Sequence, residues 1–309
     1  MNIVFMGTPE FAVPCLERLL QDGHTVSMVV TQSDKPKGRG QKLTPPPVKA
    51  FALTHDIPVL QPNTLKSNET QEALKECDAD VMVVVAYGKI LPKAVLDMPK
   101  FGCINVHASL LPAYRGAAPI QWAVLNGEKE SGVTTMFMDV GLDTGDMLLK
   151  STCTIDENMT AGELHDALSL QGAELLSKTL KQLEEGTLQR IPQTGESCYA
   201  PMLSKSLCAL DFCKTATELH NQVRGLNPWP TATAVVGGSV LKIHKTRVVN
   251  EISNYAPNKV VSTAPFLVSC GNNTLLELIE VQAQGGKRMT AAEYFRGHPI
   301  ELFSVFADE

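Results

Sequence analysis

The sequence lacks most of the features by which a chain of this size is quickly sorted. Its eight cysteines form no CxxC pair and stand in no cysteine–histidine set at zinc spacing, which argues against a structural metal site. No run of ~18 apolar residues is present to span a bilayer. The opening residues, MNIVFMGTPEF, carry no basic segment ahead of a long apolar one, so no secretory signal is expected. Scattered thiols then suit a reducing, cytoplasmic setting. Positive charge is not in excess: 27 Lys and Arg face 33 Asp and Glu, a net of −6. A globally basic nucleic-acid binder is thereby excluded, and a polyanion would meet local patches only. The first glycine-bearing turn, Gly7-Thr8-Pro9, is not GxGxxG, so the phosphate-approach glycines of a dinucleotide site are missing. Internal repeats and low-complexity tracts are absent as well.

What is present suits a globular protein. Apolar residues make up 44% and charged residues 19%, enough for substantial cores and against disorder. A length of 309 residues suggests two domains at ~150 residues each. Charge is uneven: residues 1–204 hold 17 Lys and Arg against 24 Asp and Glu, whereas 205–309 hold 10 against 9.

Residues 2–6 (NIVFM), 25–31 (TVSMVVT) and 80–87 (DVMVVVAY) read as strands. The last is a near-continuous β-branched run, as expected of a strand covered on both faces. Thr8-Pro9 reads as a helix start, Thr as cap and Pro in the first turn, followed by helical spacing over 10–22. Such alternation argues for an α/β fold with a Rossmann-like, mostly parallel sheet. Residues 33–47 (SDKPKGRGQKLTPPP) break the rhythm. Their prolines and glycines predict irregular structure, and Lys35, Lys37, Arg39 and Lys42 face only Asp34. That is either a solvated loop or a mobile basic arm for a phosphate-bearing partner. A long amphipathic helix is expected over 160–184, with Leu164, Leu168, Leu175, Leu176, Leu180 and Leu183 as its apolar members. A turn-rich connection follows, placing a first domain at 1–189, a linker at 190–206 and a second domain at 207–309. After a helix near 215–225, β-like segments at 231–236, 239–249, 259–261, 265–270 and 274–281 fit a small β-barrel of the oligonucleotide-binding type, with a sandwich as the alternative. Trp122 falls in a helical stretch and reads as core; Trp229, between prolines, reads as packing a domain junction.

The chemistry concentrates in residues 101–146. Asn105 and His107 end an apolar run, and their spacing puts both on one face of a strand. An Asn amide and an imidazole can donate to one oxygen. Asp143 lies in the turn GLDTG after another expected strand, 133–140, and ligands gather at strand ends in parallel sheets. A carboxylate there would hold the imidazole's orientation. The trio suits transfer of an acyl-like carbon to an amine. Asn105 and a protonated His107 would stabilise the oxyanion, and Asp143 would manage, through water, the proton leaving the amine. No nucleophilic Ser or Cys is implied, which favours direct transfer.

In order, HASLLP, RGAAPIQWA and DVGLDTGD stand together with MGTPEFAVPCLERLL, KPKGRGQKLTPPPVK and DVMVVVAYGKILP. This set resembles the folate-dependent formyltransferases, closely over the first ~200 residues and more loosely beyond. Within that family it is similar to the members whose acceptor is initiator methionyl-tRNA and whose formyl donor is 10-formyltetrahydrofolate. The resemblance implies catalytic positions for Asn105, His107 and Asp143. It implies a folate-binding segment at Ser109, Leu110, Leu111 and Pro112, with Val85, Tyr87, Gly88, Asp139 and Gly141 at the pterin edge. The inserted loop around Arg39, with Lys35, Lys37 and Lys42, would order on the tRNA acceptor end. Lys242, Lys245 and Arg247, and also Lys287 and Arg288, would meet tRNA phosphate from the C-terminal domain. No metal is implied, and a monomer is expected. The competing readings are a formyltransferase for a small amine, a formate-releasing hydrolase and a non-catalytic tRNA-binding module. The basic loop and the second domain argue against the first, because a small acceptor needs neither.

Overall fold

The computed structural model describes residues 1–38 and 40–307. The chain divides into two compact units. One comprises Met1–Pro119, Ser131–Thr154 and His165–Ala200; the other comprises Ile120–Glu130, Ile155–Leu164 and the chain from Pro201 onward.

The first unit is built on a seven-stranded sheet in the spatial order Met147–Thr154, Glu130–Phe137, Cys103–His107, Val81–Val85, Asn2–Gly7, Thr25–Val30, Val59–Leu60. From Val59–Leu60 to Cys103–His107 every pairing is parallel. Val81–Val85 is buried throughout, as its β-branched composition requires of a central strand covered on both faces. On one face Val4, Met6, Val30, Leu74, Met82, Val84 and Tyr87 form a continuous core. The chain runs outward from Asn2–Gly7 in one direction, then returns to its other side at Val81–Val85. The carboxyl ends of those two strands therefore diverge into a crevice. Cys103–His107 continues the sheet beyond it, and Glu130–Phe137 pairs antiparallel with it, Asn105 opposite Met136 and His107 opposite Thr134.

Several sequence expectations are changed by tertiary contacts. Thr8 does not cap a helix: Pro9 precedes a 3-10 turn at Glu10–Ala12. The Thr8 hydroxyl instead donates to the Tyr87 carbonyl at 3.1 Å. The basic segment is not irregular throughout. Lys35–Lys37 and Lys42–Thr44 pair as an antiparallel hairpin, Pro36 opposite Leu43, turned at Gly38, whose φ of 75° suits only glycine comfortably. The third proline of the PPP run, Pro47, then opens the helix Pro47–Thr54, because a helix's first turn needs no donor from it. The stretch 190–206 is partly paired: Ile191 bridges Met147, and Tyr199–Ala200 lies parallel to Arg115–Gly116. The long helix forms as Ala161–Glu184, with Leu164, Leu168, Leu175, Leu176 and Leu180 buried. Thr160 and Glu163 exchange hydrogen bonds across its first turn, a capping box.

In the second unit a single sheet runs in the order Ala232–Val236, Ser239–Val249, Thr274–Ala283, Phe266–Cys270, Val260–Thr263, with Met289–Thr290 added on Thr274–Ala283. One sheet rather than two facing ones removes the sandwich alternative. The added strand and the helix Ala291–Gly297 behind it lie beyond the β-like segments that the sequence suggests; Thr290 and Glu293 form a complete capping box at the helix start. Phe295 of that helix stacks on Phe266 with centroids 4.0 Å apart. Trp122 lies in the helix Pro119–Leu125 and is half-buried, its indole N–H donating to the Pro201 carbonyl at 2.8 Å. Trp229, expected to pack, is 62% exposed. Among the described residues no helix is long and apolar enough to cross a membrane.

Burial pushes the Cys15, Cys103 and Cys270 thiols up to about 12, whereas Cys198 and Cys213 are exposed. Thiolate is the reacting species. At pH 8, native protein treated with iodoacetamide is expected to be alkylated at Cys198 and Cys213, with Cys15, Cys103 and Cys270 labelled only after denaturation. Peptide mass mapping reads the result, and rapid native labelling of Cys103 would contradict the packing described.

Candidate active site

Strand alternation carries Asn105 and His107 onto one face at the carboxyl end of Cys103–His107. Asn105 retains 9% of its surface and His107 6%. The His107 ring is held at both nitrogens. Its Nε2 lies 3.0 Å from the Tyr114 carbonyl; a carbonyl only accepts, so Nε2–H is the donor. Nδ1 faces the Asp143 carboxylate at 3.7 Å, an electrostatic approach rather than a hydrogen bond. Among the described residues the Asn105 amide makes no side-chain hydrogen bond, which leaves it available to a ligand.

Asp143 is brought to the imidazole by the loop after Glu130–Phe137. It adopts a left-handed backbone conformation, φ 52°, which Asp tolerates better than most residues. Its Oδ2 accepts the Gly116 N–H at 2.9 Å. A Cβ on Gly145 would stand 1.9 Å from the Phe137 carbonyl, so the second glycine of GLDTG is required by close backbone approach. Gln193 ties the loop down: its Nε2 donates to the carbonyls of Asp143 and Gly145, each at 2.8 Å. Its Oε1 accepts from Arg115 Nε at 3.0 Å and Nη2 at 2.6 Å. Sequence reasoning missed Gln193, which lies 50 positions from Asp143 in a stretch read as a connection. Nothing local to it signals the contact.

The segment after His107 is anchored by another residue that the sequence did not single out. Thr134, fully buried, donates to the Ser109 carbonyl at 2.7 Å and accepts the Leu111 N–H at 3.2 Å. Ser109 is buried and donates to the Ala113 carbonyl at 2.7 Å. Leu111 is buried, while Leu110 and Pro112 are half-buried. Val85 and Tyr87 have buried side chains, so these two reach the crevice only through their backbones. The Tyr87 phenol, which has no hydrogen-bond partner among the described residues, is pushed up to about 12 by burial. Gly88 is exposed at φ 80°, and its open side is filled by the Gln32 amide. Asp139 and Gly141 are exposed beside the loop that carries Asp143.

The candidate cations fall into two groups. Lys35 and Lys42 are exposed on the basic hairpin; Lys37 contributes its backbone to the same ladder, and Arg39 lies outside the described residues. In the second unit Lys242 and Lys245 are exposed. Arg247 is not free, since Nε donates to Glu277 at 2.7 Å, and Arg288 pairs with Glu280. The structure thus gathers the three polar groups of the candidate centre and leaves the C-terminal cations partly neutralised by neighbouring carboxylates.

A family model described as formyl transferase matches residues 1–180, and one described as formyl transferase, C-terminal domain, matches residues 202–299. A methionyl-tRNA formyltransferase of Acetivibrio thermocellus is 51% identical over 304 residues, 97% of each chain. One of Clostridium botulinum is 52% identical over 304 residues, 97% of this chain and 98% of that one. Among solved structures, the sugar 3N-formyl transferase WlaRD superposes with a TM-score of 0.68 at 24% identity, over 90% of this chain and 97% of its own. HypX from Aquifex aeolicus gives a TM-score of 0.65 at 16% identity, over 100% of this chain and 51% of its own. At these identities the structural matches bear on the fold alone.

Replacing Thr134 by Val would strand the Ser109 carbonyl and the Leu111 N–H in a dry setting. Leaving such groups unpaired costs ~1–3 kcal/mol. Urea denaturation is expected to show a loss of that size, and an unchanged midpoint would refute the anchoring role.

Proposed function

Because this chain belongs to the formyltransferase family, we infer that it transfers the formyl group of 10-formyltetrahydrofolate to the amino group of methionine on initiator methionyl-tRNA. The product is N-formylmethionyl-tRNA for translation initiation. The convergence of Asn105, His107 and Asp143 at one strand end carries this reading.

The methionine nitrogen attacks the formyl carbon, forming the new C–N bond and placing negative charge on oxygen. The Asn105 amide, unpartnered among the described residues, is available to that oxygen. His107 reaches it by exchanging its hydrogen bond to the Tyr114 carbonyl for one to the oxyanion, while Asp143 keeps the ring oriented. Collapse breaks the bond between the carbon and N10 of the folate. Asp143, through a water, relays the proton from the incoming amine, and N10 leaves protonated. No covalent enzyme intermediate is needed, consistent with the absence of a Ser or Cys nucleophile in the trio.

The folate lies at the carboxyl edge of the sheet, against the segment Ser109–Pro112 and the turns at Val85–Gly88 and Asp139–Gly141. The tRNA is held by the hairpin cations Lys35, Lys37, Arg39 and Lys42, and by Lys242, Lys245 and Arg247 on the second domain. In functional terms the catalytic domain spans 1–189, the linker 190–206 and the tRNA-binding domain 207–309. The protein acts as a cytoplasmic monomer, where its charged tRNA is found. The exposed, cation-rich hairpin supports a macromolecular acceptor over a small amine.

The defining experiment incubates the protein with 10-formyltetrahydrofolate and methionyl-tRNA and detects N-formylmethionine after deacylation. Each of Asn105→Ala, His107→Ala and Asp143→Ala is expected to lower single-turnover rates by ~10²–10³, the usual cost of one oxyanion-stabilising group. Circular dichroism should stay unchanged. Near-normal turnover in the His107 or Asp143 variant would remove that residue from the mechanism. Arg39→Ala is expected to raise KM for methionyl-tRNA while leaving folate binding intact; an unaltered tRNA response would take the loop out of substrate binding.

A further inference from the structure

The two ends of the basic hairpin meet at a single knot of side chains. Asp34 immediately precedes Lys35, the first hairpin residue, and Lys49 sits in the first turn of the helix Pro47–Thr54 that follows it. Lys49 Nζ donates to both Asp34 carboxylate oxygens, at 2.8 and 3.0 Å. Gln61, just past the edge strand Val59–Leu60, bridges the pair. Its Oε1 accepts from Lys49 Nζ at 2.7 Å, and its Nε2 donates to Asp34 Oδ1 at 2.9 Å. The same Nε2 lies 2.7 Å from the Gln32 carbonyl. Gln32 in turn donates through its own amide to the Tyr87 carbonyl at 2.9 Å. A continuous chain of polar contacts therefore links the root of the hairpin to the turn at Tyr87–Gly88. Its ionic members are only 20% and 30% exposed, and the Lys49 and Gln61 contacts hold the Asp34 carboxyl below its ordinary value.

We propose that Asp34, Lys49 and Gln61 are positioning residues that clamp the root of the basic hairpin and present its cations to the tRNA. The inference rests on the reading of that hairpin as part of the tRNA site. None of the three touches a reacting atom. Their effect is entropic: with both ends pinned, less chain must be ordered when the polyanion arrives.

The sign of charge separates a clamp from a simple contribution to the local field. Replacing Asp34 by Asn removes a negative charge, which on field grounds alone would favour a polyanion. The clamp requires the opposite result. Steady-state kinetics of Asp34→Asn, Lys49→Met and Gln61→Leu are expected to show KM for methionyl-tRNA raised about five- to tenfold in all three. KM for the folate and kcat should stay within about twofold, the pattern of lost uniform binding. Lys49→Arg should restore KM to near the wild-type value, because a guanidinium can span both carboxylate oxygens. An Asp34→Asn enzyme whose KM for methionyl-tRNA is unchanged or lower overturns the proposal. A substrate-free readout keeps the clamp separate from the functional reading. Trypsin should cut all three variants within residues 37–42 faster than wild type, with folate-analogue binding retained. Equal cleavage rates also overturn it. Should the wild-type enzyme form no N-formylmethionine, the functional reading fails, and the trypsin comparison decides the clamp by itself.

Discussion

The Asp143 carboxylate stands 3.7 Å from the His107 ring, and much of the first unit is arranged to hold it there. The two groups arrive from opposite sides of the problem. His107 ends a short, fully buried strand and has little freedom. Asp143 rides on a loop with a left-handed backbone and would wander without restraint. The restraint comes from distant chain: the Gly116 N–H on one carboxylate oxygen and the Gln193 amide on two loop carbonyls. Buried polar groups that are fully hydrogen-bonded fix geometry, because each alternative position leaves a donor or acceptor unpaired. The oxyanion chemistry inferred for Asn105 and His107 depends on that fixity, since preorganised groups need no reorganisation as charge develops.

The same logic runs through the crevice beside the site. Thr8, Gln32 and Tyr87 meet where the sheet order reverses, the usual place for a ligand in an open α/β sheet. Phosphate-approach glycines are not used here; the turn after the first strand spends its polar side chain on the neighbouring backbone. The second unit follows a different plan. Two of its cations, Arg247 and Arg288, are paired with Glu277 and Glu280. On the hairpin of the first unit, Lys35 and Lys42 stand exposed.

Much of this is legible in the order of residues alone. The β-branched run at 81–85 could hardly be anything but a buried strand, and the long helix declared itself through its leucine spacing. The Asn105 and His107 pair was readable because strand periodicity is local. Other features were hidden for equally physical reasons. The hairpin at 35–44 was obscured by prolines and glycines that usually break structure, yet here sit at an edge and a turn where they are tolerated. Thr8 looked like a helix cap, since a Thr-Pro pair is the usual sign of one, but a carbonyl 79 residues away offered its hydroxyl a partner. The buried side chains of Val85 and Tyr87 show the limit of transferring a segment's role: a stretch can edge a pocket through its backbone while its side chains serve the core.

Short-range spacing and residue type were enough to specify the elements, the sheet's general character, the family resemblance and the identity of the polar trio. That Gln193, Arg115, Thr134 and Gly116 brace the loops around that trio, and that Asp34, Lys49 and Gln61 knot the hairpin's root, emerges from the closed fold. These contacts join residues with no shared periodicity and up to 78 positions apart. Their meeting is a consequence of sheet order and register, which arise only when the whole core closes.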